Sequence, residues 1–315
     1  MGTRSSEPLA AGGMISLAEL HRDHRADGSR GRLVRRLFVV AVSLLVCVQA
    51  ASAQSLEQLS DDVRNGDIEQ KRSALFEIRN RRSAEASRLA VPALGDPSLI
   101  VRAEAAASVR FLPEQEAVAV LVPLLSDREP FVRKESAYAL GSVRSPKAGP
   151  PLERVLRGDE DLEVRAAAAV ALGYSGDRGA IGPLVAVLKE RPAESNEFLR
   201  RSAARSIGQI AQLVNSGGTY SVTPQNFLPD KYKSVKGDAL SAASPEFRAA
   251  VSVLTAVAKN KNEAADTRRE AAYSLGAIGD VSAIDTLESL SASPDPYMAT
   301  IAKEALLAIR TYQGR

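Results

Sequence analysis

Few side chains between residues 54 and 315 are suited to catalysis. Both histidines, His21 and His24, and the one cysteine, Cys47, lie within the first 53 residues, and the chain has no tryptophan. Zinc and iron sites usually need His or Cys ligands, and the common nucleophilic triads need His. Residues 54–315 therefore exclude these sites and any disulfide, while carboxylate-only metal binding and hydrolysis by paired carboxylates stay open.

Arg165 could belong to a ligand site or could hold the fold together. It stands in the stretch DLEVRAAAAVALGYSGD, and the same pattern recurs along the chain. Small residues lie three and four positions after the arginine, an aliphatic residue lies at seven, and most copies have a glycine at eight. The arginines that open the copies are Arg102, Arg133, Arg165, Arg200 and Arg268. No shared chemistry would need one arginine in every copy, so we expect a structural role.

The spacing of the small residues predicts helices that pack closely. Positions three, four and seven after the arginine share one helix face. A second amphipathic segment follows in each copy, as at residues 150–160 and 180–190, and such a hairpin buries its apolar face only against its neighbours. We predict an all-α fold for residues 54–315: a right-handed α-solenoid of about six stacked helical hairpins, with half-unit caps near residues 56–63 and 297–310.

The recurring register resembles HEAT repeats over roughly residues 60–312, specifically the short repeats of phycobilisome lyases. That resemblance implies a hydrogen-bonded ladder between successive units, made by the repeat arginine and the aspartate six residues before it. Glu194 and Asn262 replace the aspartate before the fourth and fifth arginines, and Ala299 replaces the last arginine. The residues assigned to the ladder are Asp96, Arg102, Asp127, Arg133, Asp159, Arg165, Arg200 and Arg268.

Residues 1–53 have the three parts of a signal peptide. Arginines precede the apolar run LFVVAVSLLVCV at residues 37–48, and Ala-Ser-Ala ends at Ala53. We predict cleavage after Ala53 and a periplasmic or secreted protein that meets a membrane only through this leader. The alternatives are an uncleaved membrane anchor, although the apolar run is short for a span, and a lipoprotein acylated at Cys47. Met14 is an alternative start.

The charge of the chain also lies in the leader. The net charge is +3, but residues 54–315 hold equal numbers of basic and acidic side chains. A protein that binds nucleic acid through its phosphates needs a basic surface. We therefore predict no nucleic-acid partner.

A segment at residues 215–245 interrupts the repeat between the helices of the fifth unit. It contains Gly-Gly and three prolines, which break helices, and it is rich in aromatic and lysine side chains. Candidate partner-binding residues there are Tyr220, Phe227, Lys231, Tyr232 and Lys233. The segment could instead be a degenerate seventh hairpin, or a loop that covers apolar surface of the array.

These observations predict a protein-binding module or scaffold that is not an enzyme and has no cofactor. The partner, a protein of unknown identity, would bind the inserted loop or the concave face. The resemblance implies that second helices line that face, which makes Arg154 and Arg157 candidates. The alternative is a HEAT-based enzyme such as a lyase. Related enzymes also include a metal hydroxylase that uses repeated His-Glu pairs and DNA glycosylases with a basic groove, and residues 54–315 have neither feature.

Overall fold

The computed structural model describes residues 54–216, 240 and 244–313. Within these ranges the chain forms helices and no strand. The predicted signal peptide and most of the inserted segment lie outside the described residues. The α-helices are α1 (Leu56–Asn65), α2 (Ile68–Arg81), α3 (Ala84–Ala90), α4 (Leu99–Ser108), α5 (Glu114–Leu121), α6 (Pro130–Val143), α7 (Gly149–Gly158), α8 (Leu162–Ser175), α9 (Ile181–Lys189), α10 (Glu197–Asn215), α11 (Pro245–Lys259), α12 (Ala265–Ile278), α13 (Ile284–Ser291) and α14 (Pro296–Gln313).

These helices form six stacked hairpins with one extra helix at each end. The first helices of the hairpins are α2, α4, α6, α8, α10 and α12, and each is followed by its second helix, α3 to α13. Helix α1 packs on α2 and α3 at one end, and α14 packs on α12 and α13 at the other. The predicted all-α solenoid with about six hairpins and terminal half units is confirmed.

Local sequence signals set the helix ends. The side chain of Asp161 accepts hydrogen bonds from the backbone N–H groups of Glu163 and Val164, which have no partner inside α8. Gly176 ends α8 with φ of +68°, and Gly279 ends α12 with φ of +82°. Glycine adopts this left-handed conformation without the steric cost of a Cβ atom, so the chain reverses into the second helix of the hairpin.

The first helices approach one another closely because their facing residues are small. A Cβ atom added to Gly141 would lie 2.7 Å from the Cα of Ala171 on α8, and one added to Gly276 would lie 2.6 Å from the Cα of Ala305 on α14. Neither position leaves space for a side chain. The small residues that the pattern placed on the inner helix face, such as Ala168, are fully buried.

The two helix rows differ in spacing. Each first helix packs along the next one through the whole array, whereas neighbouring second helices make fewer contacts with one another. The first-helix row is therefore the more closely packed of the two. The expectation that second helices line the concave face stays a prediction. Arg154 and Arg157 are exposed on α7, a second helix.

Within the described residues, no helix combines the length and apolar character that crossing a membrane requires.

Candidate functional site

The repeat arginines connect successive hairpins by two-point ion pairs. Arg102 donates to both carboxylate oxygens of Asp127, at 2.8 and 2.9 Å, and Arg133 donates to both oxygens of Asp159, each at 2.8 Å. The same guanidinium groups also donate to backbone carbonyls of their own unit, Arg102 to Asp96 and Arg133 to Asp127. Each arginine thus pairs with the acid of the following unit and fixes the register between hairpins.

In the first unit, a lysine takes the place of the repeat arginine. Lys71 pairs with Asp96 at 2.7 Å, so Asp96 belongs to the same row of acids. Further along, Arg165 donates to Glu190 and to the carbonyl of Leu156. Arg165 therefore binds two groups of the protein itself, as expected of a structural residue.

The last units keep the ladder with different residues. Arg200 pairs with Glu263, and this ion pair is almost fully buried, at 2% and 1% exposure. Arg268 donates to the carbonyl of Ala258. The ion pair to the following unit is made instead by the next residue, Arg269, which pairs with Asp295 at 2.9 Å. The repeat register pointed to Glu194 and Asn262 as the acid positions of these units. It therefore located the contact between successive hairpins but not the acids that form the ion pairs there.

The ladder's electrostatics leave little capacity for a ligand. The hydrogen bond from Arg102 lowers the pKa of Asp127, and the hydrogen bond to Asp127 raises the pKa of Arg102. Both directions favour the charged forms that bind each other. The ladder arginines are committed to internal partners, and a binding site has to be sought elsewhere.

The five candidates in the inserted segment, Tyr220 to Lys233, lie outside the described residues. Helix α10 ends at Asn215 and α11 begins at Pro245. Between them, Leu240 is buried in the hydrophobic core, at 7% exposure. At least this residue of the segment therefore contributes to packing.

The first helices and α14 carry a row of exposed aromatic side chains, each beside a cation. The ring of Phe131 lies 5.4 Å from the Nζ of Lys134, and the ring of Phe198 lies 5.2 Å from the guanidinium of Arg201. Sequence reasoning missed this row. The signal was present, because three of these aromatics stand two positions before the repeat-arginine position. The aromatic row is Phe76, Phe131, Phe198 and Tyr297.

A half-buried carboxyl group, Glu135 on α6, lies on the same helix row. Its burial raises its pKa, the neighbouring Glu104 acts in the same direction, and Lys134 and Arg79 oppose the shift. Within the described part of the chain, Glu135 makes no hydrogen bond or ion pair, whereas Arg79 pairs with Glu104 at 3.0 Å. A carboxyl with a raised pKa and no internal partner is able to exchange a proton with a ligand.

Tyr138 follows Glu135 by one helical turn on the first-helix row. Burial raises the pKa of its phenol, Lys134 opposes the shift, and the charges of Glu135 and Glu163 add to it. The phenol therefore stays protonated at neutral pH and is available as a hydrogen-bond donor. We call Glu104, Glu135 and Tyr138 the acid–tyrosine cluster. The sequence pattern gave no sign of it, because its members come from two hairpins and follow no recognised motif.

The residues present do not fit a His-carboxylate metal centre. Residues 54–315 contain no histidine or cysteine. Across the described ranges, no three carboxylates come together in a way that could hold a metal ion.

Comparisons with known proteins give relatives of several kinds. Bilin biosynthesis protein PecE of Mastigocladus laminosus is 38% identical over 71 residues, 22% of this chain and 26% of that protein. Deoxyhypusine hydroxylase-B of Oryza sativa subsp. japonica is 29% identical over 261 residues, 76% of this chain and 86% of that protein. This chain thus spans about a quarter of the length of the bilin biosynthesis relatives that it matches.

Among solved structures, the complex of CpcE and CpcF of phycocyanin lyase from Nostoc sp. PCC7120 is similar, with a TM-score of 0.46 and 18% identity. The match covers 83% of this chain and 93% of that chain. The prediction that the chain is not an enzyme is wrong, because its relatives are a bilin biosynthesis protein and a hydroxylase, and they point to an enzyme.

The sequence profile of HEAT repeats matches residues 87–173, 150–216 and 228–307, together more than half of the chain. The third match begins inside the inserted segment. The matched regions contain the ladder arginines and the close-packed first helices described above. The chain belongs to the HEAT-repeat family.

Proposed function

We propose that this chain is an enzyme of the HEAT-repeat lyase type, which holds a protein partner on the exposed surface of its first helices and uses Glu135 for proton transfer. The observation that carries the proposal is the environment of Glu135. It combines partial burial, a raised pKa and the absence of an internal partner within the described residues, on a surface that a ligand can reach.

The chemistry of a lyase suits such a group. When a lyase forms or breaks a bond next to a double bond, a proton must move to or from the substrate. A carboxyl whose pKa is raised keeps its proton to a higher pH and can donate it to a substrate. Tyr138, one turn away, would donate a hydrogen bond to the substrate and keep it oriented. No metal is needed for this step.

The aromatic row supplies the surface for a protein partner. Phe131 and Phe198 are 44% and 42% exposed, and Tyr297 is 70% exposed. Large aromatic side chains beside cations resemble the side chains that dominate binding energy in protein interfaces. The mixture of cations and carboxylates along these helices suits a partner with mixed charge rather than a polyanion.

An absorbance assay tests the enzymatic proposal. The full chain is mixed with a bilin and phycocyanin apoprotein, and the visible spectrum reports chromophore attachment or removal. We expect activity in the unaltered chain, a loss of at least tenfold in Glu135→Gln, and no change in Glu153→Gln on the second-helix row. No spectral change with the unaltered chain, or full activity in Glu135→Gln, would refute the proposal.

We further propose that residues 1–53 export the protein and are removed. The basic flank, apolar run and Ala-Ser-Ala exit support this proposal. Mass spectrometry of the mature protein from cells should find an N-terminus at Gln54. A retained leader would contradict cleavage.

A further inference from the structure

The first two units differ from the others at one position of the first helix. Eight residues after the repeat arginine, the later units have a glycine that lets the next helix approach: Gly141, Gly173, Gly208 and Gly276. In the first two units, the same position is Arg79 and Arg110. Two neighbouring hairpins therefore place arginines in adjacent positions on the first-helix row.

Arg82 places a third positive charge near Arg110. It ends α2 in the left-handed conformation, with φ of +48°, and its backbone N–H donates to the carbonyl of Arg79. A non-glycine residue seldom adopts this conformation. We call Arg79, Arg82 and Arg110 the arginine cluster.

Arg110 lacks the partners that the ladder arginines have. Its Nε is shielded from solvent and has no hydrogen-bond acceptor within the described residues. Its guanidinium lies over the ring of Phe111 at 4.9 Å. Burial lowers its pKa, and the charges of Arg79 and Arg82 lower it further. Arg79 is paired with Glu104, but no ion pair with an acid is found for Arg110 or Arg82 in the described ranges.

This arrangement is unfavourable unless an anion is bound. The charge of the partly buried Arg110 is repelled by those of Arg79 and Arg82, and its shielded Nε loses the hydrogen bond that water would provide. A planar guanidinium matches the oxygens of a carboxylate or a phosphate by two parallel hydrogen bonds. We propose that Arg82 and Arg110 bind the anionic group, a carboxylate or a phosphate, of a small-molecule ligand.

The location links this site to the acid–tyrosine cluster. Arg79 of the arginine cluster pairs at 3.0 Å with Glu104 of the acid–tyrosine cluster. A ligand anchored at the arginine cluster would therefore extend towards Glu135. The assignment of this ligand as the enzyme's substrate rests on the proposed function, whereas anion binding by Arg82 and Arg110 does not.

Thermal unfolding of the full chain tests anion binding without any activity assay. Inorganic phosphate and acetate are added in separate arms, with chloride holding the ionic strength constant. We expect at least one anion to raise the melting temperature of the unaltered chain. The shift should disappear in Arg110→Gln, decrease in Arg82→Gln and persist in Arg191→Gln, which alters an exposed arginine outside the cluster. The arm that responds identifies the phosphate or carboxylate preference.

A second readout separates a ligand site from a structural role. In buffer without phosphate or carboxylate, Arg110→Gln should melt at a higher temperature than the unaltered chain, because it removes an unpaired cation. The proposal is wrong if neither anion shifts the melting temperature, if all variants respond equally, or if Arg110→Gln is less stable in anion-free buffer. Anion binding together with full lyase activity in Glu135→Gln would refute the proposed function alone.

Discussion

Arg133 on α6 binds Asp159 of the following hairpin by two parallel hydrogen bonds of 2.8 Å, and both side chains are more than nine-tenths buried. The arginine also donates to the carbonyl of Asp127 at 3.0 Å. One side chain therefore connects two units, and its removal would leave a carboxylate without a counterion inside the seam.

Arg133→Ala should lower the free energy of unfolding by about 3 kcal/mol, because it leaves a buried charge unpaired. Arg165→Ala should cost less, about 1 kcal/mol, because the carboxylate of its partner Glu190 is 39% exposed and water can solvate it. Urea denaturation of both variants measures the difference. Equal losses would show that burial of the acid does not determine the strength of the ladder.

The buried pair of Arg200 and Glu263 predicts strong coupling between two substitutions. Arg200→Met should destabilise the protein by about 3 to 5 kcal/mol, since Glu263 would keep a buried charge without a partner. Adding Glu263→Leu should recover part of that loss, because the remaining carboxylate is removed. The recovery should be incomplete, since Arg200 also donates to the carbonyls of Val187 and Leu188.

The matched control for these two substitutions is the exposed ion pair of Arg310 and Glu288. Their side chains lie 3.0 Å apart and both are more than half exposed. Arg310→Met should change the stability by less than about 0.5 kcal/mol. Additive effects at Arg200 and Glu263, or a similar cost at Arg310, would contradict the assigned difference in burial.

Gly276→Ala should destabilise the array, because the new methyl group would meet the backbone of Ala305 on α14 at 2.6 Å. We expect a loss of about 1 to 3 kcal/mol, typical of overpacking in a core. Gly182→Ala on α9 is the matched control. No atom lies within 4 Å of the added methyl, so alanine should be neutral or slightly stabilising there. Circular-dichroism melting curves compare the two, and equal effects would exclude close packing as the reason for Gly276.

The sequence predicted the repeating parts of this molecule because they recur. The arginine register located the hairpins, and small residues such as Ala168 marked the buried helix face. The same small residues also implied the close spacing of the first helices. Glu135 could not be found in this way, because its pKa depends on burial and on Glu104 and Arg79 from neighbouring hairpins.

Leu240 offers a way to dissect the inserted segment, because it is the residue there that is seen to be buried in the core. Leu240→Ala should cost about 2 to 4 kcal/mol of stability, from lost burial and a cavity. Deletion of residues 217–239, which retains Leu240, should preserve the melting temperature if the deleted part is a binding loop. Unfolding of the array after that deletion would instead support a degenerate hairpin.

Glu135→Gln should make the protein more stable at pH 8 than the unaltered chain. The native pKa of Glu135 lies above that of an unfolded glutamate, about 4.3, because burial disfavours the charged form. Between these two values the native state binds more protons, so stability falls as the pH rises, and a neutral glutamine lacks this loss. At pH 4 the two proteins should melt at similar temperatures.

Asp127→Asn should change the pH dependence of stability in the opposite direction. The hydrogen bond from Arg102 lowers the native pKa of Asp127, so its carboxylate stabilises the fold above the unfolded value of about 3.9 and that contribution is lost as the pH falls through the native pKa. The substitution should therefore be most destabilising at neutral pH and least so in acid. Melting temperatures at pH 3, 4 and 8 compare both variants with the unaltered chain. If Glu135→Gln is less stable at pH 8, then Glu135 is a paired structural carboxylate, and its role as the proton donor loses its physical basis.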